Sequence, residues 1–551
     1  MSESPTRQLA QACVDRLLAA DPFAGTALGL REYDALVPDP SAAAEEALSA
    51  DLAGIAAQAG ALSPASPADR VTRDVIVAVC ERQQLAAANR AAEYTVTAMP
   101  IAGPPVLFAT LARSVLPDVG AADDYRSRVR GATAWLDATT ARLGEGAARG
   151  AYPVAALLDG ALAWADRVLA QPVPAAVLAP TPPEGWDGAT AWRADLESIG
   201  RTEIVPALER WREVLRGLRP AARPDEAAGV HALPDGVASY ERAIAVHTTL
   251  PLTAEELHRI GRDEVARLED RARELGAQLG LGDLDAVREA VRASTSATDP
   301  EVALAAAQQA VRRAEARAHE VMPLPLPDPC AVSPMPATVA EAGMAPHYTR
   351  PRKDGSRPGT FWFNTLRPTA GTGWDLEAVA FHETVPGHHS QLARLQHIVD
   401  LPLLQQFSIT VHSEGWGLYA ERLAGEFGLY SGVEAELGAV YIEMHRAARL
   451  VVDTGLHALG WSRTRAHRYL VEHVALAPGF LADEIDRYIA WPGQALAYLT
   501  GQREILRLRE LSRARLGAAF DLPTFNGVLL DHGSLPMPVL ARVVEEWLAA
   551  R

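Results

Sequence analysis

Apolar residues three and four positions apart recur along six long stretches of this 551-residue chain: Asp74 to Arg90, Ala121 to Leu143, Ala254 to Leu279, Pro300 to Val321, Gly432 to Leu459 and Gly493 to Leu516. That spacing gives a helix one stripe to bury, whereas a strand would need strict alternation. Ala, Leu, Arg and Glu, all strong helix formers, fill the positions between. Thr253 and Asp299 stand where helix-capping residues belong. Proline-rich breaks at Gln171 to Pro183, Arg219 to Pro234 and Met322 to Pro336 separate the helices. Apolar residues interleave with these prolines, so the breaks are expected to be ordered connectors. One segment departs from the helical pattern. GTFWFNTL, Gly359 to Leu366, is aromatic and bounded by prolines, and reads as a strand. Gly343 to Arg350 is expected to pair with it through a turn at Lys353 to Gly359. The fold class is therefore mainly α with a small β element.

Length alone is compatible with several domains or with one large enzyme. The balance of 52 basic and 69 acidic residues, −17 overall, disfavours phosphate backbones and anionic lipid as partners. Neither nucleic acid nor a membrane is expected. Three cysteines, Cys13, Cys80 and Cys330, are odd in number and widely spaced, which suggests neither a disulfide framework nor a cysteine zinc site. The first residues, MSESPTRQLAQACVDRLLAADP, carry charges where a signal peptide needs an apolar run. The longest uncharged stretch, Tyr94 to Ala112, is broken by Pro100, Gly103, Pro104 and Pro105. A cytoplasmic location is the expectation.

Five of the 15 histidines fall between His382 and His412. An even spread would put about one there. The dense part is FHETVPGHHSQ, Phe381 to Gln391. A His-Glu pair opening a helix begins the zincin pattern, in which a second His one turn later shares Zn²⁺ with the first and the Glu activates water. Here the i+4 position is Pro386, which cannot ligate. On an unbroken helix His388 would sit roughly 120° from His382, and His389 about 10.5 Å further along the axis. Neither could share an ion with His382. Pro386-Gly387 offers the solution, because Pro breaks the ladder and Gly tolerates unusual dihedrals. A bulge absorbing two residues puts His388 in the ligand position; one absorbing three puts His389 there. His388 is favoured, and the other His becomes a supporting donor or substrate contact. Glu414, in VHSEGWGLYAE, supplies the carboxylate that completes a catalytic zinc set of two His and one Glu. Glu383 is then the general base.

HETVPGHHSQ followed by SEGWGLYAE resembles the bacterial "domain of unknown function 885" family of predicted zinc metallopeptidases. PGTFWFNTLRP, RLVVDTGLHALGW and YIAWPGQALAYLTGQ are similar to that family as well, as is DPFAGTALGLREYD more loosely. SEGWG also resembles the Asn-Glu-Gly segment of aminopeptidase N-type gluzincins, whose Glu binds zinc. The resemblance implies a large two-lobed helical zincin-like fold with a deep channel and a small sheet beside the metal. Under it, GTFWFNTL would be the edge strand pairing with an extended peptide, and Asn364 a substrate contact.

Other polar residues sit in apolar surroundings. Arg449, Asp453 and His457 recur at four-residue spacing on one helix face, where Asp453 could fix His457 or pair with Arg449. Arg449 and His457 are thus candidates for supporting the site or for recognising a substrate carboxylate. Tyr498, Tyr488 and the pair His347-Tyr348 are candidate donors to a developing oxyanion, Tyr498 preferred. Arg503 is a further candidate for a substrate carboxylate. The division expected is an N-terminal helical lobe over 1–220, a channel wall over 221–340 and a catalytic lobe over 341–551. The expected function is hydrolysis of short peptides or a small amide around one Zn²⁺. Two alternatives are a non-haem iron or di-iron oxygenase in a helical bundle, held by Glu383, Glu414 and Glu421 with several histidines, and a non-catalytic peptide-binding protein with a structural metal. No Glu-x-x-His pair appears in the cluster, which counts against the di-iron reading.

Overall fold

The computed structural model describes residues 4–551 apart from 65, 298, 337–339, 341–343, 352–356 and 367–370. The chain is mainly helical, with one three-stranded sheet. The helices used below are α1 (Pro5–Ala20), α2 (Ala42–Ala61), α3 (Pro67–Ala88), α4 (Val119–Ala148), α5 (Val205–Leu218), α6 (Ala254–Gln278), α7 (Pro300–Arg317), α8 (Leu376–Glu383), α9 (His388–Arg394), α10 (Thr410–Glu426), α11 (Val433–His457), α12 (Pro478–Ala490), α13 (Ala497–Leu516) and α14 (Met537–Ala549). Among the described residues no helix is long and apolar enough to cross a membrane.

The caps explain where several helices begin. Thr253 and Glu256 close a reciprocal capping box at the start of α6. The Asp299 carboxylate accepts from the backbone of Glu301 and Val302 ahead of α7. The connectors are ordered, as their interleaved apolar residues imply. In the second, buried Arg223 donates to the carbonyls of Tyr152, Ala227 and Gly229 and so pins the loop.

The sheet comprises β1 (Ala331–Pro334), β2 (His347–Thr349) and β3 (Thr360–Phe363), in the order β1-β3-β2. β2 pairs antiparallel with β3, Tyr348 opposite Phe361, as expected. β1 pairs parallel on the other side, Val332 opposite Phe361. The aromatic strand β3 is therefore central, which corrects its expected place at the edge. β1 lies in a proline-rich connector with no alternation to announce it. Residues 353–356 of the expected turn lie outside the described residues.

Four apolar cores hold the molecule together. α1, α2 and α3 share one core with Trp416 and Tyr419 of α10, with α13 and with α14. α4 and α5 build a second. α6 and α11 lie in a third, and α7, β3 and α8 in a fourth. Cys13 and Cys80, distant in sequence, meet in the first core as free thiols with sulfurs 3.6 Å apart.

Candidate metal centre

α8 ends at Glu383, and a new helix, α9, starts at His388. The interruption falls on Thr384 to Gly387, where Pro386 cannot donate to the ladder. Instead the Gly387 N–H reaches back to Phe381 O at 3.1 Å. A side chain at Gly387 would place its first carbon 1.9 Å from His382 O, so only glycine fits the fold-back. At the break the Pro386 carbonyl accepts from Trp416 Nε1 at 3.0 Å, and the Gly387 carbonyl, which also takes the Gln391 N–H, accepts from it at 3.1 Å. The break thus shifts the register and fastens it to α10.

The shift turns His388 towards His382, with ring centroids 4.7 Å apart and planes at 84°. Both Nε2 atoms face Glu414 Oε2, at 3.4 Å from His382 and 3.8 Å from His388. Among the described residues, the ligand atoms of these three side chains all lie within 4.8 Å of one another. The other imidazole nitrogen of His382 donates to Glu421 Oε1 at 2.7 Å. Glu421 follows Glu414 by seven residues, two helical turns, so both carboxylates stand on one face of α10. Gly417 lies between them, and a methyl there would sit 2.5 Å from the His382 ring. The ring can occupy its place only because that position is glycine.

Charge opposes burial across the group. Burial alone would make His382 neutral, but the Glu414 and Glu421 carboxylates outweigh it and push it up to about 10. Burial likewise opposes the Glu414 anion, yet His382, His388 and Arg446 hold it down at about 2. His388 is lowered by burial and by the neighbouring His382. Its Nδ1 is buried without a hydrogen bond.

Glu383 lines the same cavity, of about 370 Å³. Its Oε2 accepts from the backbone N–H of Tyr348 on β2 at 2.9 Å. His389 points elsewhere. Its Nε2 lies 2.6 Å from Asp328 O and its Nδ1 3.0 Å from the Tyr348 hydroxyl. Burial lowers its pKa and keeps the ring neutral. A carbonyl only accepts, so Nε2 carries the proton and Tyr348 donates to Nδ1. The single hydroxyl proton of Tyr348 is therefore already committed.

His347, Tyr348, Arg449 and Tyr498 also line the cavity. The remaining sequence candidates do not. Asn364 is fully buried at the end of β3, donating to Ala340 O and Met344 O and accepting from Leu366 N. It shapes the chain there and meets no cavity. Tyr488 is buried among Glu484, Arg449 and His445. His457 is buried, accepting from Val230 N at 3.1 Å with its other nitrogen near Tyr488 O. Arg503 is exposed on α13, away from the cavity. Asp453 pairs with neither Arg449 nor His457; it accepts from the Tyr240 hydroxyl at 2.6 Å and from Gly493 N. Four-residue spacing places side chains on one face but does not say which neighbour that face meets. Of two further contributors, Arg446 went unassigned in the sequence, and Glu421 was named there only as an iron ligand, not as the support of His382. The seven-residue spacing from Glu414 was the signal available for Glu421.

Solved structures share the whole fold. A crystal structure from Colwellia psychrerythraea is 26% identical over 99% of each chain, with a TM-score of 0.88. One from Shewanella oneidensis is 16% identical, covering 98% of this chain and 100% of that one, with a TM-score of 0.76. Both are described as a "putative lipoprotein", the second as of unknown function. No curated protein matches the sequence. A family model, described as bacterial protein of unknown function, matches residues 22–544, and the chain belongs to that family, DUF885.

Proposed function

We propose that this protein is a zinc-dependent hydrolase of short-peptide amide bonds. One observation carries the reading: His382, His388 and Glu414 converge beside Glu383 in a single cavity. Two imidazoles and one carboxylate are a catalytic zinc donor set, and the Glu421 carboxylate behind His382 is the support such ligands use. Zinc in this set would supply Lewis acidity, acidifying water and polarising a carbonyl. The two carboxylates on the two nitrogens of His382, Glu414 at Nε2 and Glu421 at Nδ1, suit a site built for a cation.

The residues then divide the work. Glu383 takes a proton from water as the hydroxyl adds to the acyl carbon, and delivers it to the amine as the C–N bond breaks. The Tyr348 N–H holds one Glu383 oxygen, leaving the other to face the water. Tyr498 is the better oxyanion donor, since Tyr348 spends its proton on His389 while the Tyr498 hydroxyl has no protein partner among the described residues. β2, one of the two edge strands of the sheet, borders the cavity through His347 and Tyr348 and is the strand proposed to meet an extended substrate. Its Tyr348 N–H is already taken by Glu383. A two-lobed, zincin-like arrangement around a channel belongs to the same reading.

The test is metal content by elemental analysis of the purified protein, with cleavage of a dipeptide and tripeptide library with and without chelator. About one zinc per chain and chelator-sensitive cleavage are expected. Iron in place of zinc, or peptide binding without cleavage, would overturn the proposal. A second expectation concerns Glu421, which accepts from His382 Nδ1 and so turns Nε2 towards Glu414. Glu421→Gln should weaken zinc binding by about 10- to 100-fold in a competitive metal titration. Unchanged affinity would remove Glu421 from the site.

A further inference from the structure

Two arginines of α11, Arg446 and Arg449, line the cavity within one helical turn of each other. Arg449 is 7% exposed. Its Nη2 donates to Glu484 Oε2 at 2.8 Å and its Nε to the Tyr488 hydroxyl at 2.9 Å, which fixes the guanidinium plane. Its Nη1 is buried with no partner. The Tyr498 ring covers the group, with Arg449 Cζ 4.4 Å and Arg446 Cζ 5.9 Å from its centroid. Among the described residues Arg446 makes no ion pair. Its one hydrogen bond is a long one, 3.4 Å, to Ile442 O of its own helix, and its buried Nε has no acceptor.

Folded proteins rarely leave a buried cationic N–H without an acceptor. Here two neighbouring guanidinium groups do so at one cavity. The acidic residues nearby have other work: Glu484 is held by Arg449 and Arg487, and Glu414 by the histidines. With a divalent ion bound, the cavity carries excess positive charge.

We propose that Arg446 and Arg449 form a subsite for a substrate carboxylate beside the scissile amide. The inference rests on the hydrolase reading and adds its substrate class: peptides carrying a free carboxylate next to the bond cleaved. A planar guanidinium pair suits a carboxylate, which can accept two N–H bonds at once. The carboxylate comes from the peptide C-terminus or from an acidic side chain.

Binding in the full-length Glu383→Gln protein, measured by calorimetry, tests this without turnover. The probes are Ala-Ala-Phe, its C-terminal amide, and the amides of Ala-Ala-Glu and Ala-Ala-Gln. The free acid of Ala-Ala-Phe should bind about 10- to 100-fold more tightly than its amide if the C-terminus is read. The Glu amide should outbind the Gln amide by a similar factor if a side chain is read. Adding Arg446→Gln should collapse the preference to within about threefold, and Arg446→Lys should keep part of it. Arg446 carries the test because it anchors no buried network, whereas Arg449 does. Equal binding of acid and amide in both pairs, or a preference that survives Arg446→Gln, overturns the subsite. Intact preference without any peptide cleavage by the unmutated enzyme would instead sink the hydrolase reading and leave the subsite standing.

Discussion

Glu383→Gln is expected to keep its zinc and lose between about 10²- and 10⁴-fold in kcat. The substitution is close to isosteric. The amide oxygen can still accept the Tyr348 N–H that holds Glu383 Oε2 at 2.9 Å, so the side chain keeps its place. The metal set does not include Glu383, so its three donors stay together. What disappears is an oxygen able to take and return a proton. Elemental analysis beside steady-state kinetics checks both halves. Zinc retained with unchanged hydrolysis would remove Glu383 from the role of base; zinc lost would make it a structural support.

The second large effect is on stability. Trp416 is fully buried, and its indole N–H serves the Pro386 and Gly387 carbonyls at the break. Trp416→Ala leaves a cavity in the core shared by α1, α3, α13 and α14 and should cost about 3–5 kcal/mol. Trp416→Phe keeps most of the volume but strands the Pro386 carbonyl, while Gly387 O keeps the Gln391 N–H, and should cost about 1–3 kcal/mol. Because the same contact fixes the register that brings His388 to His382, the Phe variant should also bind zinc less tightly. Denaturant unfolding of metal-free protein and a zinc titration separate the two effects. A Phe variant with unchanged stability and zinc affinity would show that the break holds itself.

Periodicity and caps made most helices legible, because a buried stripe and a capped end are local properties. The aromatic strand and its pairing with His347–Thr349 were legible for the same reason. The geometric conflict at Pro386 pointed to a broken helix and a shifted register, since regular helix geometry forbids any other way to unite His382 with a later His. What the sequence did not disclose was set by distant neighbours. β1 is four residues inside a proline-rich connector and exists because β3 offers it an edge. Asn364, Tyr488 and His457 are polar residues of the kind that populate a cavity wall. Burial against backbone carbonyls, an ion pair and a backbone N–H took them out of it. Arg446 drew no notice because one more arginine on a helix carries no local signal; its meaning comes from the acceptors it lacks.

The core that joins α1, α2 and α3 to α10, α13 and α14 has a consequence for synthesis. During translation α1, α2 and α3 emerge with apolar residues whose partners on α10, α13 and α14 lie hundreds of residues downstream. Contacts so far apart in sequence close late and slowly. Until then those faces are open to chaperones and to aggregation. The helix bearing Glu414 and Glu421 is seated in that same late-closing core. The cluster of His382, His388 and Glu414 is therefore brought together only in the finished molecule.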